Sequence, residues 1–184
     1  MLKRKVIKNI SLIALFIAIT FIGTYIIKIP YAGGAGYFNL SDAFIMFSTI
    51  YCGPLVGFIS GTIGATLGDL ASGYVNFMVF TFFAKGLESI VTYLLFYFFR
   101  KTKYLKYLSF VFGTLIMVVI YLISYVILFD ITYCYMNIVF DLIQGIVNVV
   151  VTIALLSIMQ SAPIKHYDIN NEKLFTKNKI IKKS

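Results

Sequence analysis

The sequence predicts an all-α, polytopic membrane protein: a bundle of six transmembrane helices with both termini in the cytoplasm. Three observations carry this expectation. The 184 residues are 60% hydrophobic and 12% charged, with a mean hydropathy of +0.92, far from the balance of a soluble domain. Apolar runs recur near the roughly 20 residues needed to cross a bilayer. Of the sixteen basic residues, fourteen fall in three clusters separated by even numbers of those runs.

The first run, about 9–28, follows the basic stretch "MLKRKVIKN". It is too long for the apolar part of a secretory signal, and "IIKIP" is no small-x-small cleavage site, so it is expected to stay attached as a helix. The apolar stretch 43–72 contains "CGP", which favours a break into two helices at about 40–52 and 54–72, the first of them short. Three further segments follow at about 77–99, 108–129 and 136–159. Together they make one membrane domain over 1–160, with a basic, polar tail over 161–184 that is expected to be mobile.

A net charge of +9 invites a nucleic-acid reading until the basic residues are placed. Lys3, Arg4, Lys5 and Lys8 precede segment 1; Arg100, Lys101, Lys103 and Lys106 lie between segments 4 and 5; Lys165, Lys173, Lys177, Lys179, Lys182 and Lys183 follow segment 6. Six crossings put all three clusters on one side, which the positive-inside rule makes the cytoplasm. No nucleic-acid partner is expected. Cys52 then falls at a cytoplasmic turn and Cys134 in an external one, so they should not form a disulfide. Two cysteines and one histidine, His166, offer no zinc spacing. Neither a metal nor a cofactor is expected.

Two basic residues escape the clusters, Lys28 and Lys85, and five of the seven acids lie in or beside membrane segments: Asp42, Asp69, Glu88, Asp130 and Asp141. Lys85 sits about 12 Å below the outer end of segment 4 at the helical rise, and Gln144 lies at a similar depth in segment 6. Helical spacing puts Thr81, Lys85, Glu88 and Thr92 on one stripe, and Asp141, Gln144 and Asn148 on another. Charges near mid-membrane are costly in contact with lipid, so both stripes should face the bundle interior. Lys85 and Glu88 form either an internal ion pair or one wall of a ligand pocket; polar groups at matched depth on a second segment favour the pocket. Asp42 begins segment 2 on the outside and Asp69 lies near the outer end of segment 3, while Asn39 and Asn76 flank those two segments in outer loops.

Segment 3 carries Gly53, Gly57 and Gly61, then Gly64 and Gly68, at four-residue spacing that permits close helix approach. The loop "IPYAGGAGYFN", with three glycines, a proline and tyrosines, suits a mobile cover over an outer cavity. Ala14 and Ala18 in segment 1 form a flat patch where another helix can dock. No phosphate loop of the G-x-x-x-x-G-K-[ST] type occurs, and no histidine lies in the membrane segments, so neither ATP hydrolysis nor another enzymatic activity is expected. A self-sufficient, ion-coupled secondary transporter is an alternative, although no internal repeat supports it. A purely structural membrane subunit is another.

The order "YFNLSDAFIMFSTIYCGPLVGFISGTIGATLGDLASGY", then "TFFAKGLESI" and "LIQGIV", resembles the substrate-binding S components of energy-coupling factor (ECF) transporters, in the group handling riboflavin-like, pyridoxine-like and hydroxymethylpyrimidine-like vitamins. The resemblance covers about residues 10–160. It implies a six-helix bundle with an outward-facing pocket, and partners in a transmembrane coupling subunit and two ATPase subunits. The A-x-x-x-A of Ala14 and Ala18 matches the family's docking patch. Ser41 and Ser89 stand where glycine is expected, and Asn148 where small residues are commoner. On this reading the chain captures a vitamin at the cell (plasma) membrane, of pyridoxine or hydroxymethylpyrimidine type first and riboflavin next. Lys85 and Glu88 would meet its polar edge, Asp69, Gln144 and Asn148 would complete the hydrogen bonds, and Tyr37 and Tyr74 would stack on its ring.

Overall fold

The computed structural model describes residues 2–30, 36–102 and 104–161. Six α-helices make up most of it: α1 (Leu2–Tyr25), α2 (Ser41–Tyr51), α3 (Pro54–Ser72), α4 (Met78–Phe98), α5 (Leu108–Leu128) and α6 (Ile131–Ser161). Five of them are long and apolar enough to cross a membrane. The exception is α2, whose 11 residues span about 16 Å. The expected tail beyond Ser161, the glycine-rich centre of the first loop and Lys103 lie outside the described residues.

The flanks of that first loop are not helical. Ile29–Pro30 (β1) pairs antiparallel with Tyr37–Phe38 (β2), with Ile29 opposite Phe38 and Pro30 opposite Tyr37. This small hairpin departs from a wholly α reading and ends α1 at Tyr25 rather than near residue 28. The break between α2 and α3 has a local cause. Gly53 takes φ 110°, which favours glycine, and Pro54 opens α3, where its missing N–H costs nothing.

The last helix starts earlier than expected. Asp130 caps it, its Oδ1 accepting from the Ile131 N–H at 2.5 Å and its carbonyl from Tyr133 N–H at 3.1 Å. Cys134 therefore belongs to the first turns of α6 rather than to a connecting turn, and its thiol donates to the Leu122 carbonyl at 3.1 Å. Cys52 and Cys134 are both free, as expected.

Helix α2 lies at the centre of the bundle, in contact with α1, α3, α4 and α6. The glycines of α3 permit this. A Cβ on Gly57 would fall 1.9 Å from Thr49 Oγ1 of α2, and one on Gly68 would fall 2.6 Å from Thr24 Cβ of α1. The two glycine series thus serve two neighbours, Gly57 and Gly61 approaching α2 while Gly64 and Gly68 approach α1. Outward faces carry exposed large apolar side chains such as Leu94, Val119, Ile146 and Val150, the surface a multi-pass membrane protein presents to lipid.

Candidate functional site

The polar stripes of α4 and α6 do face inward: Thr81, Lys85, Glu88 and Thr92 are buried on one, Asp141, Gln144 and Asn148 on the other. The start of α2 lies between them. Lys85 forms an ion pair with Asp42, at the second position of α2, and not with Glu88. A carboxylate there also meets the positive end of the helix dipole. The other Asp42 oxygen accepts from Gln144 Nε2 at 2.9 Å and from Asn148 Nδ2 at 3.5 Å.

The same two amides hold the backbone that leads into α2. Gln144 Oε1 accepts from the Asn39 N–H at 3.0 Å, Asn148 Oδ1 from the Ala43 N–H at 3.0 Å, and Asn148 Nδ2 donates to the Asn39 carbonyl at 3.0 Å. Asn39 Oδ1 accepts from the Ser41 N–H at 3.0 Å, and the Leu40 N–H donates to the Gly23 carbonyl at 3.3 Å. Non-helical backbone inside a membrane bundle is stable only when its groups are satisfied in this way, and an α-helix begins with unpaired N–H groups that need partners. The departures from glycine noted in the sequence are also bonded inside the bundle: Ser41 Oγ donates to Asn39 Oδ1 at 2.6 Å, and Ser89 Oγ lies 2.8 Å from Thr49 Oγ1.

A narrow cavity opens beside this clamp, with about 330 Å³ of atom-free space, part of it open to solvent. Tyr37, Tyr74, Phe77, Tyr121 and Tyr125 wall it, and Asp69, Asp141, Asn39, Gln144 and Thr81 supply polar groups. Tyr37 and Tyr74 pack together with ring centroids 4.8 Å apart. The Tyr37 hydroxyl donates to Asp69 Oδ1. Asp69 Oδ2 is buried with no hydrogen-bond partner among the described residues. Tyr125 donates to Asp141 Oδ1 at 3.4 Å, and Thr81 and Tyr121 hydroxyls lie 3.1 Å apart.

Of the residues singled out in the sequence, Tyr37, Asn39, Asp69, Tyr74 and Gln144 line this cavity. Lys85, Glu88 and Asn148 do not; they are buried around the start of α2. Asn76 is exposed on the 3-10 turn Val75–Phe77 and lies away from the lining. Ala14 and Ala18 are both exposed on α1. Sequence reasoning missed Asp42 as the partner of Lys85, and missed Tyr121 and Tyr125 altogether. The tyrosine pair was findable, being one helical turn apart in α5. Asp42 read as a residue of the helix end, because nothing local says that this end is sunk into the bundle.

A family model described as the S component of ECF-type riboflavin transporters matches residues 4–161. The chain belongs to that family. A solved structure described as "Structure and mechanism of the S component of a bacterial ECF transporter" superposes with a TM-score of 0.64 at 24% identity, covering 83% of this chain and 95% of the other, a likeness of fold. Among curated proteins, a Pyrococcus woesei chain described as an uncharacterized protein in a gap 3′ region is 37% identical over 68 residues. That match spans 37% of this chain and 45% of the relative's length.

Proposed function

We propose that this S component captures an aromatic vitamin from outside the cell in the cavity walled by Tyr37, Tyr74, Tyr121 and Tyr125, and delivers it with ATP-driven partner subunits. The observation that carries this is the orphaned Oδ2 of Asp69, buried in the wall of an aromatic cavity. A buried acceptor without a donor is costly, and a bound ligand's N–H or O–H is what would satisfy it. The family description makes riboflavin the first candidate to test; pyridoxine and hydroxymethylpyrimidine, whose rings also stack and donate, are next.

Topology supports the same reading. Helix α2 is too short to cross by itself, but on this reading the stretch Tyr37–Leu40 extends it into a sixth crossing, with the Asn39 backbone bonded by α6 and the Leu40 N–H by α1. An even number of crossings puts both termini on the side of Lys8, Arg100, Lys101 and Lys106, the cytoplasmic side of the plasma membrane by charge. The exposed Ala14 and Ala18 give the coupling subunit a flat helix face to dock on, and that subunit brings two ATPases.

The test is binding by the purified protein in detergent, offered riboflavin, pyridoxine and hydroxymethylpyrimidine singly, together with mass spectrometry of whatever copurifies. Saturable micromolar or tighter binding of one of them is expected. Binding of none, with only lipid copurifying, would overturn the reading. Ala14→Leu with Ala18→Leu should abolish assembly with the coupling subunit and leave vitamin binding intact.

A further inference from the structure

The seam between α5 and α6 holds a recess of a different kind. It has about 630 Å³ of atom-free space, part of it open to the outer surface of the bundle. Val111 and Leu115 of α5 and Leu142, Ile146 and Val150 of α6 line its sides, and all five are exposed. At its floor the helices approach closely, because a Cβ on Gly145 would lie 3.2 Å from Thr114 Cβ. Thr114 carries the one hydroxyl of the lining, and its Oγ1 donates to the Val111 carbonyl at 2.9 Å. The recess therefore has no polar group waiting for a partner.

Shape narrows the occupant. Residues 111–118 of α5 and 142–150 of α6 border the slot over about 10–12 Å at the helical rise, parallel to the helix axes. Lipid chains lie in that direction too. A transmembrane helix, about 10 Å across with its side chains, would ride on the outstanding Ile146 and Val150, whereas a single alkyl chain reaches the floor between them.

Charge at one end of the slot narrows it further. Leu108, exposed and one turn before Val111 on the same face, joins the slot to the turn that carries Arg100, Lys101 and Lys106. On the α6 side the small, exposed Ala154, one turn beyond Val150, leaves the same path open. Lys101 is exposed, the Arg100 guanidinium lies 4.0 Å from the centroid of the Tyr97 ring, and Lys106 Nζ lies 5.0 Å from that of Tyr107. Tyr97 and Tyr104 are exposed beside them, at the depth where amphipathic rings meet headgroups. No acidic residue occurs in 89–129 or in 142–161, so these cations meet no carboxylate along the two helices.

We infer that the α5–α6 seam is a binding site for an anionic phospholipid, with one acyl chain in the slot and the phosphate on Arg100, Lys101 and Lys106. Basic clusters at the end of a membrane helix draw anionic headgroups, each lysine contributing about fivefold in affinity. The apolar slot supplies retention and the basic turn supplies the choice of headgroup. This lipid site is separate from the tyrosine-walled cavity and independent of the vitamin-capture reading.

The test is native mass spectrometry of the full-length protein in neutral detergent, titrated with phosphatidylglycerol and with phosphatidylcholine of the same acyl chains. Phosphatidylglycerol is expected to be held more than about tenfold more tightly, and Lys101→Gln with Lys106→Gln should remove most of that preference, about fivefold per lysine. Val111→Phe with Ile146→Phe, which fills the slot from its exposed sides, should weaken both lipids and leave their ratio unchanged. A phosphatidylglycerol with a diazirine in its acyl chain should label α5 and α6 in preference to the other helices. Retention of neither lipid, or of both equally, overturns the inference. So does label spread evenly over the six helices, or a second copy of this chain bound at the seam and lost in the slot-filling pair. The lipid comparison and the labelling use the unaltered chain, so a variant that fails to fold leaves both decisive.

Discussion

Two polar regions lie side by side in this bundle, and they differ in how their groups are partnered. Around the start of α2, Asp42, Lys85, Gln144 and Asn148 are joined in one network that also binds the backbone of Asn39 and Ala43. In the cavity next to it, Asp69 keeps a buried oxygen with no partner among the described residues. Both regions are made of residue types that are expensive in a membrane. The closed network holds a short helix in place; on the proposed capture reading, the open one takes the ligand. On that reading it is partnering, rather than polarity, that separates the two regions.

The sharpest way to break that comparison is to open the closed network. Lys85→Ala or Asp42→Ala each leaves an uncompensated charge in the bundle, a loss of about 3–5 kcal/mol. In a chain of this size such a variant should fail to accumulate or unfold far below the parent. Cys52 is buried, so the appearance of its thiol reactivity on heating reports unfolding directly. The double variant Asp42→Leu with Lys85→Met should recover most of that loss, because the desolvation cost of both charges goes with them. It should fall short of full recovery, since Gln144 Nε2 loses its acceptor. A double variant no better than the singles would mean that the pair does more than hold α2.

Asn148→Leu should have the next largest effect. It strands the Ala43 N–H and the Asn39 carbonyl in the bundle, at about 1–3 kcal/mol for each buried group left unpaired. Thermal unfolding should drop clearly, with vitamin binding weakened only through the displacement of Asn39, which borders the cavity. Tyr37→Phe probes the other region. It removes the donor to Asp69 Oδ1 but keeps the ring that packs on Tyr74, so stability should hold while affinity changes by about tenfold, in line with a hydrogen bond to a charged group. A large stability loss with unchanged affinity would assign Tyr37 to packing instead.

Much of this architecture was legible in the sequence. The apolar runs, the "CGP" break and the glycine spacing in α3 are local patterns, and α2 to α5 are present at nearly the bounds they predict, whereas α1 begins and ends earlier and α6 begins earlier than expected. The inward direction of both polar stripes was equally readable, because helical periodicity decides it. What the stripes face was not. That depends on α2 descending into the bundle, a tertiary fact carried by Gln144 and Asn148 bonding to backbone about a hundred residues away, with no local signature. Hence Lys85 and Glu88, three residues apart, looked like one another's partners. The cavity lies instead beside Asp69, where the aromatic residues of β2, α5 and the turn before α4 meet.

Glu88 gives the last and smallest test of the comparison between the closed and open regions. It is fully buried beside the closed network, with the Asp42 carboxyl and Lys85 as its ionisable neighbours. Lys85 is already matched by Asp42, so an ionised Glu88 would add an uncompensated charge to the core of the bundle. Glu88→Gln keeps the shape, removes that charge and supplies an amide donor facing an acceptor-rich neighbour. The expected outcome is the smallest of the series: an unfolding temperature equal to the parent's or slightly higher, on the order of 1 kcal/mol of stabilisation, with vitamin affinity unchanged because Glu88 does not line the cavity. If Glu88→Gln instead loses vitamin binding while remaining folded, Glu88 belongs to the open region after all, and the boundary between clamp and cavity must be drawn one helical turn deeper into α4.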